Sequence, residues 1–281
     1  MSLRLMTLNI NGLNCKKKQL LFFDFIKQNN VHFINLQEHN LKDKNNLLDI
    51  YYENYHVFLN ESIYLKGGTA VLIDKRVTDN IILAEKSSDS RITSVKLAIA
   101  EKRLHILNIY APSGSKYHKE REEFFKYQIL YFLRNNLSNT VLCGDFNSIT
   151  NVKDKTKGGT CPVSKSLKSN IYNLNLKDIW HTCNKNVEFT YFRDNYGSRI
   201  DRIYTTELLN QVTNVYTKPV TISDHSCVIA EIDMDFKISL GTFYWKLNTK
   251  LLELDNIENG FAFFWDNLIN SKYKYLIINE W

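Results

Sequence analysis

The chain has 281 residues, 44% hydrophobic and 23% charged, which suits one large layered domain with a substantial core plus at most a short appendage. No run of 18 apolar residues occurs, so no membrane-spanning helix and no membrane partner are expected. The opening MSLRLMTLNI lacks the charged region, apolar stretch and small-residue cleavage site of a secretory signal.

Five cysteines without a C-x-x-C pair argue against a disulfide framework or zinc site and for a reducing compartment. The formal net charge is +6, and residues 237–281 carry five lysines and five acids. The remainder therefore holds 31 basic and 25 acidic residues, an excess that suits a polyanionic partner.

In chain order, Leu3–Ile10 alternates Leu3, Leu5 and Thr7 against Arg4, Met6 and Leu8 and reads as a buried strand. Gln19–Lys27 is apolar enough for a packed helix, and His32–Gln37 is the next strand. Gly67-Gly68 marks a turn before the strand Ala70–Ile73. Leu104–Tyr110 is apolar on both faces, as a central strand is. Lys119–Leu137 places Phe125, Ile129, Phe132 and Leu133 on one helical face. Thr140–Cys143 is a short buried strand ending at Gly144.

Ser164 caps a second helix with Leu167, Ile171 and Leu174 on one face. Short strands follow at Glu188–Phe192, Arg199–Thr205, Val212–Lys218 and Cys227–Ile232. This order predicts two mixed β-sheets packed face to face with helices outside, a four-layered α/β sandwich. Composition changes near Phe236, so residues 1–236 read as one domain and 237–281 as an appended segment in which Trp245 and Trp265 serve packing.

Polar groups gather where predicted strands end: Asn9 and Asn11, Glu38, Tyr110, Asp145 and Asn147, Asp201, and Asp224 with His225. Carboxylates, amides and a histidine at such ends make a hard-oxygen metal site with a proton-transfer pair. Each has a plainer reading. Asn11-Gly12 is a common turn, Glu38 an exposed acid after a strand, and Ser223-Asp224-His225 a cap or loop. Gly144-Asp145-Phe146-Asn147 suits a cation- or phosphate-binding loop and an Asx-turn equally.

The ordered set TLNINGL, LQEH, NIYAP, GDFN, SRIDRIY and SDH resembles the endonuclease/exonuclease/phosphatase superfamily over about residues 3–235. Within it, the set is most similar to the apurinic-type endonuclease domains of non-LTR retrotransposons. The resemblance implies a DNase I-like fold. It implies an enzyme that nicks one strand of duplex DNA and leaves a 3′-hydroxyl and a 5′-phosphate. That hydroxyl would prime target-primed reverse transcription.

Residue by residue, the resemblance makes Glu38 the principal metal ligand, supported by Asn9, with Asp224 as a further ligand. The cofactor is Mg²⁺, with Mn²⁺ as the alternative. Asp145 and Asn147 orient and activate the attacking water, His225 contacts the phosphate, Asp201 is its partner, and Tyr110 is a phenol near the phosphate. Asn11, Ser113, Thr190, Arg193, Tyr196, Ser198 and Arg199 are the substrate-binding positions.

The phrase GTFYWKLNTKLL is similar to the segment joining such endonucleases to a reverse transcriptase, the partner expected in the same polyprotein. Action in the nucleus and a monomeric isolated domain go with this reading. YFRDNYGSRIDRIY is similar to a site-specific subgroup.

There are departures. Asn11 stands where repair endonucleases carry Asp, and Ser113 stands where many relatives have Asn. Ser198 stands where abasic-site enzymes have a Trp that lines the pocket for a baseless sugar. Small Ser198 ranks an abasic-site repair endonuclease second, because a wider pocket admits an intact flipped base. A catalytically inactive nucleic-acid-binding module is the alternative of another class; it requires loss of Glu38, Asp145, Asn147, Asp201 or His225, and all are present.

Phe192–Gly197 reads as a hairpin tip for the minor groove, with Arg193 or Tyr196 as reader or wedge, or as a solvated turn. Lys153, Lys155 and Lys157 form a basic loop for phosphates or for solubility. Arg199 and Arg202 face phosphate or pair with acids on the sheet.

Overall fold

The computed structural model describes residues 2–64, 66–134, 139–159, 161–184, 186–206 and 211–233. The proposed segment 237–281, with Trp245 and Trp265, lies outside them.

The elements run β1 Ser2–Asn9, α1 Lys16–Gln28, β2 Phe33–Gln37, α2 Asp49–Asn54, β3 Tyr55–Asn60 and β4 Thr69–Asp74. Next come β5 Ile81–Lys86, β6 Ile92–Ile99, β7 Lys102–Tyr110, α3 His118–Glu123, a π-helical stretch Phe124–Ile129 and α4 Leu130–Leu133. Then follow β8 Thr140–Asp145, α5 Lys165–Asn173, β9 Lys177–Asp178 and α6 Ile179–Cys183. The last are β10 Tyr191–Arg193, β11 Tyr196–Ser198, β12 Asp201–Thr205, β13 Val212–Pro219 and β14 Ser226–Asp233.

One six-stranded sheet has the order β13-β14-β1-β2-β4-β3 and the other β5-β6-β7-β8-β12-β9. Both are mixed: β1–β2 and β7–β8 pair in parallel, and the remaining pairs are antiparallel. Period-two alternation makes the layers. Leu3 and Leu5 of β1 meet Val95, Leu97, Ile106 and Val141 of the other sheet between the two. Met6 and Leu8 turn to the opposite face and pack on Phe22, Phe23 and Ile26 of α1. Leu107, Ile109 and Leu142 pack outward on Phe124, Phe125, Ile129 and Leu167. The expected four-layered α/β sandwich is therefore the observed one.

Two expectations shift. The single helix over 119–137 begins at His118 and is interrupted by the π-helical turn, so Phe125, Ile129 and Leu133 still share the buried face. Residues 135–138 lie outside the described set. The strand expected at Glu188–Phe192 forms only at Tyr191–Arg193, and Asp194-Asn195 alone make the hairpin turn, with Asp194 at φ 54°. Among the described residues, no helix is long and apolar enough to cross a membrane.

Candidate active site

Strand pairing brings the polar ends together. In one sheet Asp201 lies directly opposite Asp145, and Tyr110 flanks Asp145 on the other side. In the other sheet Asn9 pairs with Gln37, next to Glu38, and Asp224-His225 lead into β14. The two sheet ends meet through Asn9. Its Nδ2 donates to Glu38 Oε1 and to Asp145 Oδ2, each at 3.0 Å.

Gly144 explains the glycine of GDFN. Its φ is 137°, and a Cβ there would lie 2.0 Å from Ile109 O. Glu38, Asn11 and Asn147 all take positive φ, at 51°, 47° and 45°. Asn tolerates this conformation and Glu does not, so Glu38 is held there by its surroundings. Gly12 N donates to Glu38 O and Leu13 N to His39 O. Buried His39 accepts from Leu41 N through Nδ1, so Nε2 donates to Asn60 O. Burial holds this imidazole neutral, with its pKa down to about 4. A Cβ on Gly68 would lie 2.5 Å from the same ring.

His225 Nδ1 donates to Asp201 Oδ2 at 2.8 Å, and Thr190 Oγ1 donates to that oxygen at 2.6 Å. Ser223 Oγ donates to Asn9 O and accepts from His225 N, which ties the SDH loop to the end of β1. Tyr191 packs its ring 4.7 Å from the imidazole. Asn147 N donates to Asp145 Oδ1, and its Nδ2 donates to Ala111 O.

Burial alone would lower the His225 pKa. The Asp201 charge and hydrogen bond outweigh it and raise the pKa to about 9, so the ring is an imidazolium at neutral pH. Asp145 moves well above the ordinary carboxylate range, first through burial and then through the charge of Asp201. Burial, reinforced by the charge of Glu38, keeps the Tyr110 phenol protonated far above its usual range.

A cavity of about 410 Å³ opens over this cluster. Of the expected residues, Asn9, Asn11, Glu38, Ser113, Asp145, Asn147, Arg193, Tyr196, Ser198, Asp224 and His225 line it. Asp201 and Thr190 lie behind His225, and Tyr110 lies beside the cavity, with its hydroxyl 3.4 Å from Ser113 Oγ. Asp224 Oδ1 accepts from Asn11 Nδ2.

Arg199 is elsewhere. It is 1% exposed and pairs with Asp154 at 2.9 Å and Asp178 at 2.7 Å. Of the two readings of Arg199, contact with substrate or pairing with acids, the second holds: its guanidinium is committed to two carboxylates. Of the three loop lysines, Lys155 lines the cavity, while Lys153 and Lys157 are exposed and do not. Tyr191 and Arg121 also line it; Tyr191 opens the phrase YFRDNYGSRIDRIY without a role assigned to it there, and Arg121 lies in no motif.

The donor set fits a divalent cation. Glu38, Asp145 and Asp224 bring three carboxylates to the lining of one cavity, as hard cations prefer, and Asn9, whose Oδ1 accepts from Asn11 N, links two of them. Asp145, Asp201 and His225 also offer ligand atoms within 4.8 Å of one another. His225 Nδ1 is engaged by Asp201, so those two act better as a hydrogen-bonded pair than as ligands.

Comparison with known proteins agrees with this architecture. The Endonuclease/Exonuclease/phosphatase family model matches residues 6–225. An exodeoxyribonuclease of Bacillus subtilis (strain 168) is 26% identical over 156 residues, 52% of this chain. The match spans 58% of that enzyme's length. An AP endonuclease structure from Archaeoglobus fulgidus superposes with a TM-score of 0.68 at 17% identity, over 83% of this chain and all of that one. The 3′ phosphatase NExo from Neisseria, bound to product DNA hairpin, gives 0.69 at 20% identity with the same coverage. Both structures establish the DNase I-like fold. With its sheet order, its converging site residues and a family match over most of its length, the chain belongs to the endonuclease/exonuclease/phosphatase family of hydrolytic enzymes.

Proposed function

We propose that this chain is a divalent-metal-dependent endonuclease that nicks one strand of duplex DNA, leaving a 3′-hydroxyl and a 5′-phosphate. One observation carries the reading. Asn9 holds Glu38 and Asp145 together on the wall of a cleft that the His225–Asp201 pair also lines through its imidazole.

A bound Mg²⁺ or Mn²⁺, held by Glu38 with Asn9 and Asp224, supplies charge neutralisation at the phosphate. The residues do the rest. Asn147 N and Asn9 Nδ2 orient the Asp145 carboxylate. Its raised pKa suits it to take a proton from water near neutral pH. That water attacks phosphorus, the P–O3′ bond breaks, and the 3′ oxygen takes a proton from solvent. The His225 imidazolium donates to a phosphoryl oxygen as charge develops there, and Asp201 with Thr190 holds the ring in place.

The motif order NIYAP, GDFN, SRIDRIY and SDH supports a retrotransposon setting, in which the new 3′-hydroxyl primes reverse transcription by a polymerase on the same polyprotein in the nucleus. Exposed Arg193 and Tyr196 of the β10–β11 hairpin line the cleft and suit contact with the duplex. Ser198 in the cleft wall favours intact DNA over an abasic site.

The test is nicking of supercoiled plasmid against a duplex with one abasic site, followed by polymerase extension of the nick without phosphatase treatment. Direct extension and comparable cutting of both substrates are expected. Strong preference for the abasic duplex makes the chain a repair enzyme. Blocked 3′ ends refute the proposed bond cleavage.

A further inference from the structure

Three arginines are almost fully buried: Arg121 and Arg199 at 1% exposure and Arg202 at 0%. Two of them are paired. Arg199 meets Asp154 and Asp178, and Arg202 reaches Asp154 at 3.4 Å. Arg121 has no carboxylate within ion-pair distance among the described residues. Its Nη1 donates to two backbone carbonyls, Pro112 O at 2.6 Å and Gly114 O at 3.2 Å. Its Nε is buried without any hydrogen-bond partner. Glu122 accepts from Ser166 N at 2.8 Å through Oε2, and its charge and that of Asp145 act on Arg121 from beyond ion-pair distance; Glu120 lies 3.9 Å from Arg91.

A buried, unpaired cation costs several kcal/mol unless an anion reaches it. Arg121 lines the active cleft, so an anion has a route to it. Ser113 and Ser115 line the same cleft on either side of Gly114, whose carbonyl Arg121 holds. Lys155 also lines it, its Nζ donating to Cys161 O at 2.9 Å. The guanidinium is a planar fork that matches two phosphate oxygens.

We infer that Arg121 anchors a second anion subsite in the cleft, separate from the Glu38–His225 centre, and that it takes a non-scissile phosphate of the bound strand. Arg121 then has two tasks. Nη1 shapes the 112–115 segment, and Nη2 is left for phosphate. The inference rests on the nuclease reading only for the source of that phosphate.

Two arms test it on the full chain. In the first, duplexes carry a single neutral methylphosphonate at successive linkages around one mapped nick. Wild type is expected to lose about tenfold in kcat/KM at one non-scissile linkage, the scale of one lost charge-assisted contact. Arg121→Gln is expected to be slow on the all-phosphate duplex and insensitive to that replacement. In the second, thermal unfolding of Glu38→Ala/His225→Ala is followed in inorganic phosphate and in chloride at equal ionic strength. Phosphate is expected to raise the midpoint, and adding Arg121→Gln to abolish the rise. Arg121→Lys keeps the charge without the fork and serves if Arg121→Gln does not fold; a reduced response is expected.

An unchanged methylphosphonate profile in the Arg121 variants overturns the strand assignment. A phosphate-induced rise that survives loss of Arg121 overturns the subsite. If no DNA is cut by any form, the nuclease reading falls, and the phosphate arm alone decides the subsite.

Discussion

His225 and Asp201 form a hydrogen-bonded pair, Nδ1 to Oδ2 at 2.8 Å, although they come from different sheets: Asp201 opens β12 and His225 immediately precedes β14. The pair sets an imidazolium beside the Glu38–Asp145 end of the cleft. Asp201 raises the His225 pKa against the effect of burial, and it also raises that of Asp145.

Asp201→Asn should therefore move both limbs of the pH–rate profile to lower pH. The basic limb falls because the imidazolium loses its partner, and the acid limb falls because Asp145 loses a like charge. The linked stability follows in sign. A His225 pKa raised from 6.5 to about 9 contributes stability that is full below 6.5 and is lost as pH rises through 9. Urea midpoints from pH 6 to 9.5 should fall in wild type and stay flatter in the variant. Unmoved limbs would mean that Asp201 does not set the charge of His225.

Gly144→Ala places a methyl 2.0 Å from the Ile109 carbonyl in a backbone conformation that L residues avoid. The expected cost is about 3 kcal/mol or more, or roughly 10 °C in Tm for a domain of this size. A melting curve within about 2 °C of wild type, a cost of roughly 1 kcal/mol or less, contradicts the close approach of Gly144 to Ile109.

Arg199→Met leaves the buried carboxylate of Asp154 and the half-buried one of Asp178 short of a partner, with an expected loss of about 3 kcal/mol. The salt dependence of DNA binding should not change, because the side chain does not reach the cleft. If the slope of log K against log salt drops by about one in the variant, Arg199 contacts phosphate after all.

Chelation should abolish nicking, and Mg²⁺ or Mn²⁺ should restore it. Glu38→Gln keeps the hydrogen bond from Asn9 possible but removes the negative charge and leaves a single neutral oxygen donor. It should need at least about tenfold more metal, read by calorimetric titration without DNA. Equal metal affinity in the variant and wild type moves the ligand role away from Glu38.

Much of this was legible in residue order. The alternation of Leu3 and Leu5 against Met6 and Leu8 marks a strand covered on both faces, and β1 is one. Glu38, Asp145, Asn147 and His225 stand in recognisable strings and do converge. Arg199 stood in such a string too, yet its neighbours are Asp154 and Asp178, 45 and 21 positions away in the chain. No local pattern reports partners at that separation. β6 alternates Val95, Leu97 and Ile99 against Ser94, Lys96 and Ala98, and the π-helical turn within 118–133 leaves the apolar spacing intact, so periodicity alone does not reveal it.

The amino-acid sequence alone determined the layers and the chemical inventory, because strand and helix periods and short motifs are local properties of the chain. Tertiary structure decided which of those groups act together. Asn9 reaches both Glu38 and Asp145, Tyr191 lies against His225, and among the described residues Arg121 has no ion-pair partner while Arg199 has two. Charge pairing and burial depend on distances between remote segments, and only the packing of one sheet on the other sets those distances.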